Sequence, residues 1–260
     1  MKLTVLVDNI AGGKFQAEHG LSYLIEIDEQ KILFDTGHSD LFLRNANKLG
    51  INIVEEVETI VLSHGHWDHG NGLIHLSNKK LITHPSAFSK RYRKSDHTPV
   101  GLNLEKEDLS QKFEIITTKE PLRITENLWF LGEIPRVTNF EAKNTSYLFE
   151  NGEEDFIVDD SALVANTRNG LIVISGCAHS GICNICEYAK KVSGMNKVHA
   201  VIGGFHLKDQ GEQSLKTLAY FEQNNIQRIL PSHCTALPAK ILFSGQFDFP
   251  EIKTGMEILF

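Results

Sequence analysis

The hydrophobic positions of this 260-residue chain form short β-branched runs that alternate with longer amphipathic stretches. In the first half, these runs predict strands over 3–7, 21–27, 31–35, 59–62 and 81–83. A helical pattern over 41–49 predicts a helix that Gly50 terminates, and a second helix is expected to open over 72–76. Because strands alternate with helices, the pattern predicts an α/β layered fold.

The second half of the chain repeats this alternation. Apolar runs predict strands over 171–174, 198–202 and 227–230, and amphipathic stretches predict helices over 181–192 and 211–224. Residues 113–150 have β character, whereas residues 89–112 are irregular and could form a lid or an insertion over a site. No linker or change in composition divides the chain, so we expect a single domain over 1–260.

Composition narrows the class of protein. The chain is 41% hydrophobic and 23% charged with a net charge of −7, which is typical of a globular protein with a substantial core. We therefore expect no nucleic-acid or membrane partner. No export signal or membrane-spanning run is apparent, so a cytoplasmic location with reduced cysteines is expected. The basic run 90–94 is better explained as a solvated face than as a patch for an anionic substrate.

The strongest chemical signal follows the predicted strand over 59–62. Four side chains that can bind a metal occur within six residues, in the order H-x-H-x-D-H: His64, His66, Asp68 and His69. At the end of a strand, side chains i and i+2 point the same way, so His64 and His66 can bind one metal together. Asp68 and His69 can then face a second position. Imidazole and carboxylate suit zinc best here, with iron or manganese as alternatives.

Histidines also follow other predicted strands. Four apolar strands each lead into a loop that carries a histidine: His64, His179, His206 and His233. In α/β proteins ligands bind at the carboxyl ends of strands, so these loops are expected to meet at one edge. The sequence therefore predicts a metal centre assembled from both halves of the chain.

The H-x-H-x-D-H motif and the upstream Asp35-Thr36-Gly37 turn resemble the metallo-β-lactamase superfamily. This resemblance implies a four-layer αββα sandwich with metals at one edge. Further short motifs resemble, in order, those of the dihydropterin-ribofuranosylaminobenzene-phosphate synthase branch; they lie at 7–9, 18–22, 132–136, 176–182, 202–207 and 231–235.

The branch resemblance implies a transferase that acts on a small phosphorylated or pterin-like substrate. Two alternatives stay open. The same metals would suit a hydrolase of phosphoesters or phosphodiesters. A metal- or ligand-binding protein without turnover is the third possibility, although the intact H-x-H-x-D-H motif argues against it.

The superfamily resemblance also implies a ligand set for one or two divalent ions. His64, His66 and His179 would hold the first metal. Asp68 and His69 would hold the second together with His233. His206 competes with His233 for that place and would otherwise lie over the site and act on the substrate. Asp68 is also a candidate for orienting the nucleophile.

The sequence departs from the superfamily where an aspartate usually bridges the two metals. Cys177 stands there, either as a thiolate ligand or as a small buried residue, and Asp160 is a second candidate for the missing carboxylate. The number of metals is therefore open. Arg136 is a candidate phosphate clamp, with a surface ion pair as the alternative, and His84 is a candidate for lining the pocket.

The remaining cysteines and histidines are interpreted as structural. Cys183 and Cys186 are one helical turn apart, so packing within a helix is favoured over a zinc or redox role. Five histidines are expected to be surface or structural residues: His19, His38, His75, His97 and His199.

Overall fold

The structure, a computed structural model, describes all 260 residues. Its strands are β1 Lys2–Val7, β2 Ser22–Ile27, β3 Gln30–Phe34, β4 Thr59–Val61, β5 Lys79–Thr83, β6 Arg91–Arg93, β7 Phe113–Thr117, β8 Leu122–Arg123, β9 Leu128–Phe130, β10 Tyr147–Phe149, β11 Glu154–Asp155, β12 Ala162–Thr167, β13 Gly170–Ser175, β14 Val198–Gly204, β15 Arg228–Ser232 and β16 Glu257–Leu259. Its α-helices are α1 Leu41–Lys48, α2 Ile53–Glu56, α3 Trp67–Gly70, α4 Lys106–Ser110, α5 Ile182–Ser193, α6 Glu212–Gln223 and α7 Leu237–Ser244. Short 3₁₀ helices occur at Asn71–His75 and Pro85–Phe88.

Two large sheets face each other across a common core. The first has the strand order β16-β1-β2-β3-β4-β5-β7, and the second has the order β15-β14-β13-β12-β9-β8. Tyr23 and Phe34 of the first sheet pack in one buried cluster with Leu163 and Ile174 of the second. Since these side chains are almost fully removed from water, the contact between the sheets is a large apolar interface.

Helices cover the outer faces of both sheets. Phe42 of α1 and Ile53 of α2 are buried against the first sheet, whereas Phe221 of α6 and Phe243 of α7 are buried against the second. The amphipathic pattern explains this arrangement, because each helix buries one apolar stripe and exposes its polar face. The predicted four-layer αββα sandwich is confirmed.

Parallel strands give both sheets an edge where several carboxyl ends meet. Strands β3, β4 and β5 run parallel in the first sheet, and β13, β14 and β15 run parallel in the second. The loops that follow these strands carry the candidate ligands, so pairing between strands far apart in sequence determines which side chains meet.

Most predicted elements are present, with shifts at their ends. Helix α1 ends just before Gly50, whose φ of 77° is the left-handed conformation that glycine adopts at a helix terminus. The helix expected over 72–76 is a 3₁₀ helix instead. Several elements were not predicted, among them helix α2, strand β12, helix α7 and strand β16. No helix of the structure combines the length and the apolar character needed to span a membrane.

Residues 89–112 contain β6 and α4 and lie against the H-x-H-x-D-H motif. Val100 accepts a hydrogen bond of 3.2 Å from the backbone N–H of Trp67, and Gly101 forms a β-bridge with His66. Strand β6 joins β10 and β11 in a small third sheet. That this segment forms a lid over the site stays a prediction.

The basic run 90–94 differs from the expected solvated face at one residue. Arg91 is 1% exposed and lies between two buried carboxylates, with its Nε 3.2 Å from Asp155 and its Nη1 2.9 Å from Asp159. The other three cations of the run, Lys90, Arg93 and Lys94, form exposed ion pairs with Glu105, Asp96 and Glu154. Every cation of the run thus has an acidic partner, so the run is not a free patch for an anion.

Candidate metal centre

The first group of candidate ligands consists of His64, His66 and His179. Their ligand atoms lie within 4.8 Å of one another, and the Nε2 of His64 is 3.0 Å from the Nδ1 of His66. Two nitrogens bound at about 2.0 Å to a tetrahedral zinc would be separated by roughly 3.3 Å. The Nε2 atoms of His66 and His179 are buried without any hydrogen-bond partner. These unpartnered nitrogens fit a site for a cation.

The protonation state of the first group also suits a metal. Burial, reinforced by nearby cationic groups, lowers the pKa of His64, His66 and His179 well below the usual value. The neutral imidazole is the form that binds a metal. The three side chains are therefore held in the protonation state that coordination requires.

The second group consists of Asp68, His69 and His233. The Nε2 of His233 is 3.2 Å from the Nε2 of His69 and 3.4 Å from the Oδ2 of Asp68. Burial lowers the pKa of His69, but the carboxylates of Asp35 and Asp68 outweigh it and raise this pKa to about 9. Burial opposes ionisation of Asp68, yet His69 and hydrogen bonds from His19 and His233 hold its pKa well below its usual range. This position thus favours a positive charge.

Hydrogen bonds fix the orientation of the second-group histidines. Asp35 accepts a bond of 2.7 Å from the Nδ1 of His69, and Asn9 accepts one of 3.0 Å from the Nδ1 of His233. The Nε2 atoms of both histidines point into the group and lie 3.2 Å apart, and each can bind a metal once it has lost its proton. A divalent cation beside Asp68 would replace the proton that the carboxylates otherwise hold on His69. A divalent metal therefore fits this group.

Asp35 also supports the first group. It accepts hydrogen bonds from the backbone N–H and the hydroxyl of Ser63, both of 2.7 Å. Since the hydroxyl proton points at Asp35, the oxygen of Ser63 can accept from the Nδ1 of His64 at 2.9 Å, which leaves the Nε2 of His64 free for a metal. One buried carboxylate thus orients a histidine in each group.

The loops that bring these residues together contain strained backbone. Asp35, Ala178, His206 and His233 have φ values of 58°, 37°, 52° and 46°, in the left-handed region that residues other than glycine rarely adopt. Such strain costs about 1–3 kcal/mol at each position and persists where the surrounding structure imposes it. The surrounding structure therefore holds these four strand ends in a fixed conformation.

Cys177, rather than Asp160, lies among the candidate ligands. The Sγ of Cys177 is 3.2 Å from the Nε2 of His69 and belongs to a compact group with His64 and His69. The Oδ2 of Asp160 instead accepts hydrogen bonds of 2.7 and 2.6 Å from the backbone N–H and hydroxyl of Ser180.

His206 and His233 occupy different places. His233 is in the second group, whereas His206 shares a group with Cys177 and Cys234. The ring of His206 is centred 4.2 Å from the ring of His179, so it borders the first group from outside. The structure thus brings His233, and not His206, beside Asp68.

Arg136 and His84 contact the protein rather than the metal-competent groups. The guanidinium of Arg136 donates to the backbone carbonyl of Phe156 and lies over its ring. The Nε2 of His84 is 3.2 Å from the carboxylate of Glu133, and its Nδ1 accepts from the backbone N–H of Ser86. Neither side chain is a member of a ligand group.

Sequence reasoning missed two side chains that adjoin the centre. The Nε2 of His19 is 3.2 Å from the Oδ2 of Asp68, although His19 was expected to be structural. Tyr147 lies with its ring centred 4.8 Å from that of His66. His19 stands in a branch motif, which was a usable signal. No local signal marks Tyr147, because β10 reaches the site only through its pairing with β6.

Comparisons with known proteins point to one family. The model of the metallo-beta-lactamase superfamily matches residues 16–87, which include the H-x-H-x-D-H motif. A 7,8-dihydropterin-6-methyl-4-(beta-D-ribofuranosyl)-aminobenzene-5'-phosphate synthase of Methanocaldococcus jannaschii is 34% identical over 285 aligned positions, which cover 100% of this chain and 97% of the relative. An uncharacterised protein of the same organism is 36% identical, with 95% of each chain covered.

Among solved structures, the crystal structure of Tm1679, described as a metal-dependent hydrolase of the beta-lactamase superfamily, is similar over the full chain. It has a TM-score of 0.88 and 30% identity, and the match covers 100% of this chain and 99% of that one. The full-length similarity agrees with the sandwich architecture and with the candidate ligands at the strand ends. This chain belongs to the metallo-β-lactamase superfamily.

Proposed function

We propose that this protein is a metal-dependent transferase of the dihydropterin-ribofuranosylaminobenzene-phosphate synthase type. The observation that carries the proposal is the pair of adjacent ligand groups, within a chain that is similar to such a synthase over its whole length. A pair of divalent metals, zinc by preference, would supply electrophilic assistance to a departing pyrophosphate group. His64, His66 and His179 would hold one ion, and Asp68, His69 and His233 would hold the other.

A cavity beside the metal groups supports a small anionic substrate. It has a volume of about 390 Å³, and its wall includes His179, His206 and Lys143, as well as Glu212, which is paired with Lys216. Lys143 is exposed and has no acidic partner within ion-pair distance, whereas every cation of the run 90–94 is paired. An unpaired ammonium beside a metal centre is suited to a phosphate oxygen.

Other residues of the cavity wall suit a pterin-like ring. Asn139, Asn144 and Gln213 offer amide donors and acceptors, and Phe140 offers an aromatic face. Asp68 is proposed to orient the attacking group besides binding metal, and His206 is proposed to face the substrate from the cavity side. Arg136 and His84 are kept as candidates for substrate binding only through a rearrangement, since both have protein partners.

The proposal is tested by incubating the zinc-loaded protein with a dihydropterin pyrophosphate and a ribofuranosylaminobenzene 5′-phosphate. We expect a condensed product by mass spectrometry, with one pyrophosphate released per product. The His64→Ala and His66→Ala variants should lose both metal and activity, since each lacks a ligand of the first group. Full activity in either variant would contradict the site.

A phosphoester or phosphodiester hydrolase is the second candidate. It is favoured by the similarity to Tm1679, which is described as a metal-dependent hydrolase. The same preparation is therefore assayed with bis(p-nitrophenyl) phosphate. Metal-dependent release of nitrophenol without any condensed product would replace the first proposal with this one.

A further inference from the structure

One cluster of metal-competent side chains lies outside the two groups assigned above. Cys177, His206 and Cys234 present two sulfurs and an imidazole nitrogen within 4.8 Å of one another. The two metal groups use neither His206 nor Cys234. Cys183 and Cys186, by contrast, are fully buried in the packing of α5, as the sequence predicted.

The fold brings these three residues together from adjacent strands. Cys177 follows β13, His206 follows β14 and Cys234 follows β15, and these strands are parallel neighbours in the second sheet. Their carboxyl ends therefore share one edge. The arrangement depends on the sheet and not on any local motif.

Two details indicate that the cluster is a built site. Gly204 leaves room for the thiol, because a Cβ added at Gly204 would lie 2.5 Å from the Sγ of Cys234. The Nδ1 of His206 is buried without a hydrogen-bond partner, and the residue is held in the left-handed region at a φ of 52°. A buried imidazole nitrogen without a partner requires an explanation, and a bound metal supplies one.

We propose that Cys177, His206 and Cys234 form a further, thiolate-rich metal position beside the histidine and carboxylate groups. Two thiolates and one imidazole select a thiophilic ion such as zinc, with cadmium or cobalt as laboratory substitutes. Three protein ligands leave the fourth position of a tetrahedral ion open. His206 also lines the cavity of about 390 Å³, so the cluster borders the space proposed for the substrate.

The test is cobalt(II) substitution of reduced full-length protein, followed by near-ultraviolet absorption from sulfur-to-cobalt charge transfer. The unaltered protein should show this band. The band should fall by about half in Cys234→Ala and in Cys177→Ala, and it should vanish in the double variant, since each thiolate contributes one charge-transfer path. Cys186→Ala, the matched control, should keep the full band.

Two outcomes would overturn the proposal: a full band in Cys234→Ala, or no band in the unaltered protein. Cys234→Ser, with circular dichroism of every variant, separates loss of a ligand from loss of folding. His64→Ala should keep the band, because His64 is not in this cluster. The proposed reaction is assayed separately, so a failed transferase assay leaves this result unaffected, and the reverse also holds.

Discussion

At the scale of single residues, buried polar side chains hold the candidate ligands in one orientation. Asp35 is fully buried and accepts hydrogen bonds from Ser63 and His69, and Asn9 accepts one from His233. Partners of this kind fix which ring nitrogen carries the proton and therefore which nitrogen can bind metal. The geometry of the centre thus depends on residues that would not themselves contact an ion.

The Asp35→Asn substitution tests this dependence. The amide is a weaker acceptor and carries no charge, so His69 loses its orienting partner. We expect metal affinity to fall by about 10–100-fold, the usual effect of removing such a partner. Competition with a chromophoric chelator measures the affinity. Asp40→Asn, at an exposed aspartate that pairs with Arg44, is the control and should bind metal normally; equal affinities in both variants would refute the role of Asp35.

Lys143 gives a second prediction at this scale. If its ammonium binds a substrate phosphate, Lys143→Ala should raise KM by about tenfold, the low end for losing a hydrogen bond to a charged group at an exposed position. Steady-state kinetics with the active substrate measure the change. Lys197→Ala, at an exposed lysine before β14, is the matched control. An unchanged KM in Lys143→Ala would exclude Lys143 from substrate binding.

At the scale of elements, buried charges connect the small sheet of β6, β10 and β11 to the loop that carries the H-x-H-x-D-H motif. Arg91 on β6 contacts Asp155 on β11 and also Asp159, and Asp159 accepts a hydrogen bond of 2.7 Å from the backbone N–H of Gly65. Gly65 lies between two candidate ligands. The ion-pair network therefore links the segment over 89–112 to the metal centre.

The Arg91→Ala substitution should strongly destabilise the protein. It would leave two carboxylates buried without a cation, and breaking a buried pair in this way costs about 3–5 kcal/mol. Urea unfolding of metal-free protein measures the free energy of unfolding. Arg93→Ala, which removes an exposed pair with Asp96, should cost no more than about 1 kcal/mol. Similar losses in the two variants would show that burial of Arg91 is not decisive.

At the scale of the whole molecule, the candidate ligands come from both sheets. The loop after β4 belongs to the first sheet, whereas His179 and His233 follow strands of the second. An ion bound by both sets would cross-link the two sheets in the folded state. Since the unfolded chain cannot assemble such a site, metal binding should stabilise the fold.

Removal of metal with a chelator should therefore lower Tm. With free metal at 100 times Kd, binding contributes about 2.7 kcal/mol. For a protein of this size that corresponds to a decrease of about 5–10 °C. Differential scanning calorimetry measures the shift. His64→Ala should show a smaller shift, and an identical Tm with and without chelator would argue against a metal held between the sheets.

Much of this architecture was predictable from local sequence. Patterns within a few residues predicted the helix that Gly50 ends and the strand before His64. They also predicted the packing of Cys183 and Cys186. The burial of Arg91 was not predictable, because its partners lie more than 60 positions away in sequence. The proximity of Tyr147 to His66 was hidden for the same reason.

The sequence by itself determined the alternation of strands and helices and the presence of histidines at strand ends, because both are properties of short segments. Only the tertiary structure decided that His233 lies beside Asp68 and that His206 lies beside Cys177 and Cys234. Those contacts depend on the order of β13, β14 and β15 and on how the second sheet faces the first. Neighbouring positions on a sheet edge are set by long-range pairing, which no local pattern encodes.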